Sequence, residues 1–93
     1  MIQEFKDSVT AALFAGLTPR GIGPDIVKRA HLKLHLLDAA ATLSFLRSPP
    51  GNRLQKLSGD REGQHSIRIN DQYRICFEFR DGHAYQVEVC DYH

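Results

Sequence analysis

The chain has 93 residues, is 42% hydrophobic and 25% charged, and carries a net charge of +1. That size predicts one domain, 1–93, able to build its own core without a metal or disulfide staple. The near-neutral charge excludes a generic nucleic-acid glue, and no apolar run approaches the roughly 20 residues that span a bilayer. The start, Met1-Ile-Gln-Glu-Phe5, has neither the basic nor the apolar region of a signal peptide, so a cytoplasmic location is expected.

In chain order, residues 2–5 are a candidate short strand. Residues 7–15 read as a short helix, with Asp7 or Ser8 as its N-cap and Gly16 at its end. Gly21-Ile-Gly23 is a break. Pro24 suits the first turn of a second helix, which should run to about Arg47 and stop at Pro49-Pro50-Gly51. Its apolar stripe would be Ile26, Ala30, Leu34, Leu37, Ala41 and Phe45. Residues 49–64 read as a polar loop anchored by Leu54 and Leu57. Three strand signals follow, His65–Asn70, Tyr73–Arg80 and Ala84–Cys90, with a turn signal at Asp81-Gly82. Cys76 and Cys90 lie inside strands and make no Cys-x-x-Cys, which points to buried, reduced thiols.

Parity constrains how these strands pair. Ile67, Ile69, Tyr73, Ile75, Phe77, Phe79, Tyr85, Val87 and Val89 are apolar at odd positions, so all should face one core. That requires odd-length connections, and three-residue loops at 70–72 and 81–83 fit. Ile69 then lies opposite Tyr73, Arg68 opposite Arg74, Arg74 opposite Cys90, Phe79 opposite Tyr85 and Gln72 opposite Tyr92. The even face collects Ser66, Arg68, Asn70, Arg74, Glu78, Arg80, Gln86, Glu88 and Tyr92. Two arginines directly across a ladder repel by up to about 1 kcal/mol. An anion between them would relieve this, and so would Glu78 and Glu88 placed diagonally. On this reading the loss of Arg74 leaves stability level or higher.

From Arg47 to Arg74 six cations (Arg47, Arg53, Lys56, Arg61, Arg68 and Arg74) face only Asp60, Glu62 and Asp71. They form either a solvated surface or a phosphate site, depending on whether the fold converges them. Downstream, the strand Tyr85–Cys90 runs into Asp91-Tyr92-His93, a carboxylate, a phenol and an imidazole that handle protons. Strict alternation puts Tyr92 beside Arg68 and Arg74, with Asp91 and His93 on the other face unless the strand end twists. Arginines and a tyrosine with a nearby histidine suit RNA cleavage without a metal or cofactor. A base takes the ribose 2′-hydroxyl proton, the oxygen attacks phosphorus, cations hold the developing charge, and an acid protonates the 5′-oxygen.

The segment Arg53–Phe77, with Gly59-Asp60-Arg61 and Ile67-Arg68-Ile69-Asn70, and then Val87-Glu-Val-Cys-Asp-Tyr-His93, resembles the HigB-type toxins, plasmid-maintenance killer proteins of the RelE/ParE superfamily. Met1-Ile-Gln-Glu-Phe5 and Leu36–Leu43 extend the resemblance more loosely over the N-terminal half. It implies an α+β toxin with two N-terminal helices packed on a small antiparallel sheet, a three-strand C-terminal meander plus a short N-terminal strand. It further implies cleavage of mRNA in the A site of the 70S ribosome, and silencing by a HigA-like helix-turn-helix antitoxin, away from any membrane. By this resemblance Asp91, Tyr92, His93 and Arg74 are catalytic. Arg68, Arg61, Lys56 and Arg53 are the expected RNA- and phosphate-binding residues, and no metal ligand is expected.

One departure stands out. Where the family often carries the histidine of Leu-His-Pro-Leu-Lys-Gly, this chain has Gln55, in Leu54-Gln55-Lys56-Leu57-Ser58-Gly59. Gln55 cannot exchange protons, and His65, a core-facing position by parity, is the one nearby stand-in. Two alternatives therefore stand beside the ribonuclease. One is a non-enzymatic inhibitor like the ParE branch that poisons DNA gyrase. The other is a weakened toxin acting mainly through its antitoxin as co-repressor.

Overall fold

The computed structural model describes residues 1–48 and 50–91. Two helices, α1 (Ser8–Phe14) and α2 (Pro24–Ala39), pack on a sheet of four strands, β1 (Gln55–Lys56), β2 (His65–Arg68), β3 (Tyr73–Arg80) and β4 (His83–Asp91). The sheet order is β1-β2-β3-β4, and every neighbouring pair is antiparallel. Two helices on an antiparallel sheet is the expected architecture. The fourth strand, however, is β1, inside the segment read as a loop. The N-terminal segment lies along the outer edge of β4 through two isolated parallel bridges, Ile2 to Ala84 and Phe5 to Val87.

Each helix boundary has a chemical cause. The Asp7 carboxylate accepts from Thr10 N at 2.7 Å and starts α1. Gly16, at φ +84°, ends it, with Leu17 N donating to Ala12 O and Gly16 N to Leu13 O in a Schellman motif. Pro24 occupies the first turn of α2, whose buried stripe is Ala30, Leu34 and Leu37. The helix stops at Ala39 rather than near Arg47, and a 3-10 turn, Ser44–Arg47, follows a bend. Ala41 and Phe45 are therefore exposed. The cause is tertiary. Asp38 Oδ1 accepts from Ile2 N at 2.8 Å, and the backbone of Ala41 lies against Gly82, so the chain must leave the helical path to clear the β3–β4 turn.

The first connection matches the parity argument, because Ile69 N donates to Tyr73 O and Arg68 pairs with Arg74. The second is a correction. Arg80 pairs with His83, so the turn is only Asp81-Gly82, both at positive φ as a two-residue hairpin turn requires. The missing residue reappears as a bulge in β4. Cys76 pairs with Glu88 but Glu78 with Tyr85, and Gln86 takes φ +52°. Phe79 consequently faces Ala84, not Tyr85. Ala84 enters the core, and the Tyr85 ring moves to the polar face, where the Arg80 guanidinium lies 4.0 Å above it.

The main core joins Leu13, Ala30, Leu34, Leu37 and Leu46 to Ile67, Ile75, Phe77 and Val87 of the sheet. Thr10, fully buried, accepts from Val89 N at 3.0 Å and ties α1 to the open edge of β4. A second, smaller cluster on the other face joins Leu57 to Cys76 and Cys90.

Candidate functional site: a cationic groove beside the last strand

The even face of the sheet is less open than its polarity implies. Ser66 and Cys76 are fully buried, and Arg74 is only 8% exposed. The turn that follows β1 folds over its middle and brings Leu57 and Arg61 down onto it. Arg61 Nη1 contacts Glu88 Oε1 at 2.7 Å, and Lys6 Nζ contacts the same oxygen at 3.4 Å. Burial pushes the Glu88 carboxyl up, but the Arg61 hydrogen bond and the charges of Arg61 and Lys6 outweigh it, so its pKa lies below the ordinary value. Beneath this pair the Cys76 and Cys90 sulfurs are 3.2 Å apart and both thiols are free. The Cys90 S–H bonded to the Cys76 sulfur holds the Cys76 thiol low and its own thiol high.

Uphill of that cover a groove of about 240 Å³ opens, lined by Arg53, Gln55, Arg68, Asn70, Asp71 and Arg74. Three guanidinium-bearing residues thus share one concavity. Arg74 reaches it from below. Its Nε donates to Ser66 Oγ at 2.7 Å, and its Nη2 donates to Arg53 O at 2.6 Å and more weakly to Ser66 O at 3.4 Å. Arg68, across the ladder, instead points along the rim and pairs with Asp71. The like-charge pair is therefore separated by two different partnerships. The expectation that Arg74 could be removed without loss of stability gives way, because its guanidinium satisfies buried acceptors.

The 70–72 turn links this groove to the end of β4. Asn70 Oδ1 accepts from Gln72 N and Tyr73 N, at 2.9 and 2.7 Å, which fixes the turn. Gln72 Nε2 then donates to Asp91 Oδ2 at 3.2 Å. Asp91, opposite Tyr73, is one residue beyond Cys90, which faces Arg74. The expected catalytic residues Tyr92 and His93 lie outside the described residues. Gln55 lies in the groove wall. Arg61 is not in the groove, because Glu88 holds it over the middle of the sheet.

A second cleft, about 490 Å³, adjoins the first through Arg53 and is lined also by Leu43, Arg47, Pro50, Leu54, Lys56 and His65. Lys56 belongs to this cleft, not to the groove. His65 is partly buried against Phe77, and its Nδ1 is buried without a hydrogen-bond partner. Burial, then the charge of Lys56, lowers its pKa below the ordinary histidine value. Sequence reasoning did not connect Arg47 with Lys56 and His65. The signal was the pairing of Lys56 with His65, which appears only once β1 is known to be a strand. Among the described residues no group of three or more His, Cys, Asp or Glu could hold a metal ion, and no helix is long and apolar enough to cross a membrane.

This architecture is shared with a chain of a solved toxin-antitoxin complex. The YoeB-YefM complex from Staphylococcus aureus superposes with a TM-score of 0.63 over 100% of this chain and 95% of that one, at 20% sequence identity. The family described as "RelE-like toxin of type II toxin-antitoxin system HigB" matches residues 3–93. Toxin HigB-1 of Vibrio cholerae is 41% identical over 85 residues, covering 90% of each chain. Endoribonuclease HigB of Proteus vulgaris is 34% identical over 93 residues, covering the whole of both. The chain belongs to the HigB-like family of RelE-like toxins of type II toxin-antitoxin systems.

Proposed function

We propose that this toxin is an endoribonuclease that cleaves mRNA in the ribosomal A site, and that a HigA-like helix-turn-helix antitoxin silences it in the cytoplasm. The observation that carries the reading is the convergence of Arg53, Arg68 and Arg74 on one groove that the 70–72 turn ties to Asp91. The relative from Proteus vulgaris is named an endoribonuclease, which supports the same chemistry here.

In this mechanism the scissile phosphate sits in the groove. A base among Asp91, Tyr92 and His93 takes the 2′-hydroxyl proton, and the 2′-oxygen bonds to phosphorus. The P–O5′ bond breaks, and a second group of the triplet protonates the leaving oxygen. The products are a 2′,3′-cyclic phosphate and a free 5′-hydroxyl. Charge-assisted bonds from the guanidinium groups, stronger than neutral ones, hold the phosphorane as its charge grows. Gln55 supplies an amide where the related motif carries an imidazole, so acid–base work falls to the triplet. Lys56 and Arg47 offer phosphates on either side of the cut a cationic path through the adjoining cleft.

The test is digestion of one message, naked and during translation, with the 3′ ends of the products identified. Cleavage confined to the translated message, ending in cyclic phosphate and lost on deletion of Tyr92 and His93, is the expected result. A deletion variant as active as the intact chain would remove the triplet from the mechanism. Intact RNA beside stalled DNA gyrase would replace the ribonuclease with the gyrase-poison reading.

A further inference from the structure

We propose that Ser66 and the main-chain carbonyl of Arg53 are a positioning clamp that presents Arg74 to the phosphate. The proposal rests on the ribonuclease reading and names which residues make its central arginine work. Ser66 is fully buried and does not line the groove, so it touches no substrate there. Its hydroxyl nevertheless accepts from Arg74 Nε at 2.7 Å. Arg53 O accepts from Nη2 at 2.6 Å, on the adjoining arm of the same planar fork. Two acceptors on neighbouring nitrogens fix both the plane of a guanidinium and its rotation, which a single contact cannot do. The plane of the fork is thereby held in one orientation, the preorganisation that stabilises a transition state without reorganisation when charge develops.

The backbone at Arg53 supports this assignment. Arg53 is one of the three non-glycine residues at positive φ among the described residues, at +45°. A side chain resists that conformation, and it persists where the surroundings over-determine it. It follows the 3-10 turn Pro50–Asn52, where Arg53 N donates to Pro50 O at 3.1 Å. The strained residue is the one whose carbonyl meets Arg74. Arg53 thus has two separable roles, a cation shared by both clefts and a carbonyl that aims another cation.

Two measurements on the intact chain test the clamp. The first reads solvent exchange of the Arg74 Nε–H by NMR and needs no RNA. The bond to Ser66 predicts a protected signal that Ser66→Ala exposes. The second is the single-turnover cleavage rate of a translated message. Ser66→Ala should lower the rate about 10- to 100-fold, as expected for a displaced reacting group, with little change in the concentration giving half the maximal rate. In Arg74→Lys the fork is already gone, so adding Ser66→Ala should lower the rate no further.

Arg53 supplies the control that leaves Ser66 untouched. Arg53→Asn and Arg53→Val lose the same guanidinium, but Val resists positive φ and Asn tolerates it. The Asn variant should keep the Arg74 Nε–H protected and be the faster of the two. An unprotected Nε–H in the wild type, additive losses in the double variant, or equal behaviour of Asn and Val would overturn the clamp. A wild type that cleaves neither translated nor naked RNA would overturn the ribonuclease reading instead, and the Nε–H measurements would then judge the clamp alone.

Discussion

The two faces of the sheet are both buried at their centres, but by different means. Under the helices Ile67, Ile75, Phe77 and Val87 are covered mainly by apolar side chains, for which volume matters more than direction. On the other face Ser66, Arg74, Cys76 and Cys90 are almost as inaccessible, and what covers them is Leu57, a polar turn and an ion pair. A buried polar group must find its partner or destabilise the fold. The helix face therefore supplies stability, and the groove face supplies orientation.

The comparison breaks most visibly at Phe77. Fully buried, it should lose about 3–5 kcal/mol on Phe77→Ala, measured by urea unfolding, whereas no single truncation on the groove face should reach that range. Arg74→Ala comes next. It leaves Ser66 Oγ without its donor and should destabilise by about 1–3 kcal/mol. It should also slow cleavage by about 10²–10³, as for the loss of one well-placed donor. A variant that unfolds at the wild-type denaturant midpoint would show that the groove face tolerates an empty acceptor.

A smaller effect separates the faces by pH. The folded Glu88 carboxyl has a lowered pKa, so its contribution is present above the ordinary carboxylate value and is lost as pH falls through the folded one. Glu88→Gln should be less stable than wild type at pH 7. The gap should narrow below about pH 4.5, near the ordinary value, as read from denaturation midpoints across pH. Least affected should be Arg68→Ala. Its exposed partner Asp71 makes the pair worth under about 1 kcal/mol, so melting should barely move. Cleavage should weaken less than for Arg74, and a loss as large as that of Arg74→Ala would make the two arginines equivalent.

Much of this was legible in the residues. Asp7 and Gly16 marked α1, and alternation set Arg68 against Arg74 and Arg74 against Cys90. The early end of α2 was not legible, because the alanines at 39–41 favour helix locally and only the contacts of Asp38 and Ala41 with distant residues end it. The pairing of Arg61 with Glu88 was also hidden, since it joins residues far apart in sequence and diverts a cation counted toward the phosphate site. Parity pointed to an odd connection between β3 and β4, yet the turn has two residues, because a tight turn plus a bulge keeps the faces in frame as well as a three-residue loop would. Gln86, a non-glycine residue at positive φ, gave no warning.

That turn and bulge are a matched pair of edits. The two-residue turn alone would rotate every later side chain to the wrong face, and the bulge at Gln86 restores the frame before Val87. Cys90 and Asp91 keep their places only because both irregularities are present. Among relatives, a one-residue insertion in the turn should accordingly travel with a one-residue loss near Gln86. A lineage carrying either change alone would have exchanged the two faces of its last strand.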